Sequence, residues 1–193
     1  DLLLGNNVLA HVPDINDFVA GMPVVLNPEG VITLEFPHLL NLLAQNQFDT
    51  IYHEHYTYLS LIALEPVFAR AGLHIFDVEE LPTHGGSLRI FVCHIGANHE
   101  TAPSVHQMLE RERAEGLDNG ERFDAFAQAV TLTKRALLRF LIDAGAAGKT
   151  VAAYGAAAKG NTLLNYCGIR PDMVAFVADK NPTKQGRLLQ DPA

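Results

Sequence analysis

The chain has 193 residues, 48% of them hydrophobic, with 14 basic against 22 acidic side chains and a formal charge of −8. That length suits one large domain or two small ones, each able to bury a core. Lys and Arg are scattered rather than gathered in a stripe, which argues against nucleic acid or an anionic membrane as partner. Cys93 and Cys167 form no CxxC pair, so neither a metal site nor a disulfide framework is expected. Two free thiols, no apolar run of transmembrane length and no signal peptide together suggest the cytoplasm. The chain opens at Asp1 inside an apolar run and closes on LLQDPA. Such ends are those expected of a piece of a larger protein.

In chain order, residues 2–4 read as the end of a buried strand, bounded by Gly5-Asn6-Asn7. Asp14 is placed to cap a helix whose inner face carries Ile15, Phe18, Val19 and Met22. Asn27-Pro28-Glu29-Gly30 is a turn. Residues 31–36 form a second buried strand that Pro37 stops, and a helix carrying Leu39, Leu40, Leu42 and Leu43 follows. Strand, helix and strand with short loops make a right-handed α/β unit. A helix over residues 61–71 ends at Gly72. Residues 74–81 and 87–94 are expected to pair as an antiparallel hairpin across Pro82-Thr83-His84-Gly85-Gly86. Residues 104–114 read as a polar surface helix, and 121–144 as a long amphipathic one with Phe123, Phe126, Val130, Leu137 and Leu141 on one face. A second α/β unit follows: strand 150–154, the small-residue loop 155–161, helix 162–166, and strand 174–178 ending at Asp179.

The densest chemistry is Tyr52-His53-Glu54-His55. A strand would split these four side chains between two faces, whereas a helix or tight turn would converge three of them. Imidazole titrates near neutral pH, so His55 is the candidate base. Glu54 would tune or orient it, and Tyr52 would donate to a developing oxyanion. The alternative is a solvated polar turn. The second carrier is Gly155-Ala156-Ala157-Ala158-Lys159-Gly160-Asn161, a strand-to-helix turn whose free N–H groups would attract an anion, with Lys159 adding charge. Asp179 ends the next strand, where nucleotide-binding folds place an acid on the ribose. The loop matches neither GxGxxG nor GxxxxGK[ST], and close packing of helix on strand would also explain it. Asn7, Val8 and His11 follow the end of the first strand, where open sheets bind ligands. His11 alone reads as structural. In HGGSLR, two glycines allow close backbone approach to a partner; a simple tight turn is the alternative.

NNVLAHVPD followed by GVITLEFPHLL resembles the last strands of a class I S-adenosylmethionine-dependent methyltransferase domain. FDTIYHEHYTYLSL, HGGSLRIF, YGAAAKGNTLLNY and ADKNPTKQG resemble the C-terminal half of the sugar C-methyltransferases that act on nucleotide-linked keto-deoxysugars. The resemblance implies an α/β fold: the end of a Rossmann-like cofactor sheet over residues 1–48, then a substrate-binding and catalytic domain over 49–193, with a hairpin and helix region and a second Rossmann-like unit. It implies S-adenosylmethionine as cofactor, with Asn7, Val8 and His11 on the remaining edge of its pocket. Zinc would belong to an N-terminal cysteine-rich module that these residues do not include. His55 would take the proton beside the sugar's C4 ketone, assisted by Tyr52 and Glu54, and the enolate would attack the methyl group. Gly155, Lys159, Gly160, Asn161 and Asp179 would lie on the nucleotide-sugar side. Two other readings stay open: transfer to a different acceptor, including O-methylation, and a non-catalytic nucleotide-sugar-binding module.

Overall fold

The computed structural model describes residues 1–189. The chain folds as two compact units, Asp1–Gln47 with Glu54–Ala125, and Phe48–His53 with Phe126–Ala193. The class is α/β, as the alternation of elements predicts.

The first unit is built on a four-stranded mixed sheet, β1 (Leu2–Asn6), β2 (Val31–Pro37), β3 (Leu73–Leu81) and β4 (Ser87–His94), in the order β1-β2-β4-β3. β1 and β2 run parallel and are joined through helix α1 (Ile15–Val25), the expected crossover unit. The hairpin β3–β4 is also as expected, and β4 pairs antiparallel with β2, so the hairpin shares the sheet of that first unit. Ile32, Leu34 and Phe36 alternate along β2 and stand opposite Val92, Ile90 and Leu88 of β4. All six are buried, and this cross-strand block is the centre of the core.

Asp14 caps α1: its carboxylate accepts the N–H groups of Asn16 at 3.0 Å and Asp17 at 3.1 Å. Val19 and Met22 of the expected inner face are buried, with Ile15 and Phe18 packed at the core's edge. Two helix-start donors depend on this one side chain. Asp14→Ala is therefore expected to lower the unfolding free energy by about 1 kcal/mol, read by chemical denaturation.

Helices α2 (Leu39–Ala44), α3 (Leu61–Arg70) and α4 (Pro103–Ala114) complete the unit. The expectation of a polar surface helix over 104–114 is corrected. Val105, Met108, Leu109 and Glu112 form a buried stripe on α4 at helical spacing. The charged residues on its outer face hide that stripe in a composition count.

Helix α5 runs Glu121–Ala146, its residues from Phe126 onward belonging to the second unit, with Val130 and Leu141 buried. Strands β5 (Ala153–Tyr154) and β6 (Val177–Ala178) pair in parallel across α6 (Ala158–Cys167). Both strands are shorter than expected. Ladder bonds continue beyond them, from Ala175 N–H to the Val151 carbonyl at 2.9 Å and from Gly155 N–H to Ala178 at 2.7 Å. Tyr154 and Phe176 are exposed, so this two-stranded ribbon lacks cover to support longer pairing. Helix α6 starts at Ala158, four residues earlier than expected, which places Lys159, Gly160 and Asn161 inside its first turns.

Candidate active site

The division between the two units falls inside the titratable run, between His53 and Glu54. In the first unit, residues 54–60 are irregular backbone held down at successive points. The Glu54 carbonyl accepts a hydrogen bond from His11 Nδ1 at 2.8 Å. Tyr56 N–H donates to the Ala10 carbonyl at 2.9 Å. Leu59 bridges to His38, and Leu39 N–H donates to the Leu59 carbonyl at 2.9 Å. Ser60 then caps α3.

His55 is half-buried on this pinned segment. Its ring lies 4.9 Å from that of His11 and 6.0 Å from that of Tyr58, the latter edge-on at 81°. A carbonyl can only accept, so the Glu54 contact fixes the proton of His11 on Nδ1 and sets the plane of that ring. The side chain of Glu54 itself is exposed. The run is turn and irregular backbone, neither strand nor helix. Tyr52, in the second unit, has its N–H on the Thr50 carbonyl and its ring 6.3 Å from that of His53.

At the carboxyl ends of β1 and β2 lies a polar network that includes the expected Asn7. Asn7 follows β1 with φ 54°, donates its N–H to the Glu35 carbonyl at 2.8 Å, and places Nδ2 3.2 Å from His84 Nε2. Its Oδ1 is buried without a partner. Val8 is packed at the edge of the core. Glu35 is buried and accepts Thr83 Oγ1 at 2.8 Å and Arg89 Nη2 at 2.9 Å. The Thr83 hydrogen bond, with Arg89 beside it, holds this carboxyl below the usual range against the opposing effect of burial. The glycines of the hairpin turn meet partners inside the chain: a Cβ on Gly85 would strike the Gln47 side chain, and one on Gly86 would strike Asn41. Gln47 Nε2 donates to the Gly85 carbonyl and His38 N–H to that of Gly86. Glu35 and His84 were legible only as polar residues beside a strand end and a glycine pair.

In the second unit a cavity of about 960 Å³ is lined by Ala156, Asn161, Arg170, Asp179 and Lys184 among others. Of the expected substrate residues, Asn161 and Asp179 line it, whereas Gly155, Lys159 and Gly160 do not. Gly155 takes the left-handed turn, φ 93°. Among the described residues no side chain caps the α6 start at Ala157. Asp179 accepts the N–H groups of Asn181 and Ala156, both at 2.8 Å, and these bonds hold its carboxyl below the usual range. Lys184, which the sequence reading passed over, lies 3.6 Å from that carboxylate and donates to the Ala156 carbonyl at 2.7 Å. Among the described residues no cluster of His, Cys, Asp and Glu is disposed to hold a metal ion. No helix among them is long and apolar enough to cross a membrane.

Residues 82–192 match the model of the C-methyltransferase C-terminal domain. Over 188 residues the chain is 38% identical to the C-methyltransferase NovU of Streptomyces niveus, which covers 97% of this chain. The chain belongs to the C-methyltransferase family. It spans 45% of the length of that relative. The match to this family takes in the hairpin turn and the α6 loop, and the relative's alignment, at 97% of the chain, takes in most of the rest.

Proposed function

We propose that the protein to which these residues belong transfers a methyl group from S-adenosylmethionine to carbon on a nucleotide-linked 4-keto-deoxysugar. The observation that carries this reading is the seating of His55, a half-buried imidazole held between His11 and Tyr58 on a segment fixed by backbone bonds at either end. A hydrogen beside a ketone is weakly acidic, so its removal near neutral pH needs a positioned base. His55 takes that proton, and the resulting enolate supplies the carbon nucleophile. Transfer to oxygen needs only modest help from a base and passes through no enolate.

When bound, S-adenosylmethionine supplies an electrophilic methyl group. Asn7 and Val8 fit the edge of its pocket, since the unpartnered Asn7 Oδ1 offers an acceptor beside an apolar wall. On the substrate side, the uncapped α6 start and Lys184 suit a diphosphate, with Asn161 lining the same cavity. We read both β–α–β units as Rossmann-like, the first serving the cofactor and the second the nucleotide-sugar.

The reading is tested with the full-length protein in heavy water, without methyl donor. Incubation with a nucleotide-linked 4-keto-6-deoxysugar is expected to erase the proton signal at the carbon beside the ketone. Retention of that signal at the rate of the protein-free control would rule the reading out.

A further inference from the structure

The geometry points to His84 as a second substrate-contacting imidazole, donating its Nδ1–H to an oxygen of the keto acceptor; this rests on the C-methylation reading above. His84 sits in the hairpin turn with φ 54° and ψ 24°, the left-handed region that glycine occupies freely and other residues adopt uncommonly. Asn7 also has a φ of 54°, and these two left-handed residues touch each other, Asn7 Nδ2 to His84 Nε2 at 3.2 Å. Left-handed non-glycine residues of this kind cluster at functional sites, and here two of them are joined by one hydrogen bond.

The turn is built to hold that geometry. Below it, Thr83 is tied to the buried Glu35, whose second oxygen holds Arg89. Behind it, Gly85 and Gly86 press so closely on Gln47 and Asn41 that neither position admits a side chain without movement. His84 itself is exposed, so its ring adds nothing to the core. A turn needing only shape would carry glycine or asparagine there. With the Asn7 amide nitrogen donating to Nε2, the proton of the neutral ring sits on Nδ1, which leaves that N–H as the donor for an acceptor oxygen. The position relative to the base is equally fixed. Asn7 and His11 are four residues apart, joined by the short 3-10 turn Leu9–His11, and the His11 ring lies against His55. One short stretch of chain therefore supports both imidazoles.

Two substitutions in the full-length protein test this with the hydrogen-exchange assay and thermal melting. His84→Gly suits the turn and removes the ring. It is expected to melt at or above the wild-type temperature while kcat/KM for exchange falls at least about tenfold. His84→Asn also tolerates the left-handed turn, and its amide reaches the Nδ1 position, so it is expected to recover much of that loss. Wild-type exchange efficiency in His84→Gly would overturn the inference while leaving C-methylation standing. Absence of exchange in the wild-type protein would overturn both, and the two failures are thereby distinguished.

Discussion

Replacing His55 by Asn is expected to slow hydrogen exchange beside the acceptor's ketone by about 10²- to 10⁴-fold, the range attributable to one positioned general base. The amide keeps the approximate size and one polar atom of the imidazole, but it does not take up a proton near neutral pH. The surroundings of His55 explain why the loss should appear in the rate rather than in folding. The ring is half-buried, and its neighbours are the rings of His11 and Tyr58 rather than the apolar core. The segment that carries it is fixed through the backbone: Glu54 by His11, Tyr56 by Ala10, and Leu59 by Leu39. None of these backbone bonds uses the His55 side chain, so the segment should stay in place in the variant. His53 is the internal control. It is exposed, belongs to the other compact unit, and should tolerate Asn with exchange within about twofold of wild type, as an exposed histidine away from a base should. Equal exchange in wild type and His55→Asn would remove His55 from the mechanism.

Much of the scaffold was legible because local rules and tertiary structure agree. The Asp14 cap, the β1–α1–β2 crossover and the β3–β4 hairpin each follow from a signal confined to a few residues: a capping carboxylate, period-two apolar runs, a glycine pair. The α4 helix was misread because its buried stripe includes a carboxylate, and a carboxylate reads as surface unless its partners are known. Those partners, His38 and the start of α3, lie 50 or more residues away in sequence. The same limit applies at the site. His55 could be singled out because its chemistry is written beside it. His84 depends on Asn7, 77 residues distant, and on a backbone conformation that no side-chain pattern encodes. Lys159 stands out in the sequence through its small-residue loop, whereas only the fold puts Lys184 at the cavity wall.

Glu112 carries the largest stability effect expected in the first unit. Its carboxylate is fully buried and gathers three donors: His38 Nε2 at 2.7 Å, Leu61 N–H at 2.7 Å and Ile62 N–H at 2.8 Å. It thus serves as a cap, supplied from another helix, for the first turn of α3. His38 is buried with it and has a Nδ1 that lacks a partner, so the ring relies on Glu112 alone for side-chain hydrogen bonding. Removing the carboxylate strands all three donors away from water. Glu112→Ala is expected to lower the unfolding free energy by about 3–5 kcal/mol, the cost of breaking a buried pair by deleting one partner. Glu112→Gln keeps the volume and one accepting oxygen, and should cost about 1–3 kcal/mol. Glu110, exposed two residues earlier on the same helix, is the control, and Glu110→Ala should stay within about 0.5 kcal/mol of wild type. Denaturant unfolding of the variants decides the matter: a Glu112→Ala loss no larger than that of Glu110→Ala would show that the buried carboxylate is dispensable. The consequence reaches the site through the backbone. His38 N–H holds the Gly86 carbonyl of the His84 turn, and His38 bridges to Leu59 at the end of the His55 segment. The buried pair therefore braces both segments that carry the proposed acceptor contacts, and its loss should loosen His55 and His84 together rather than either alone.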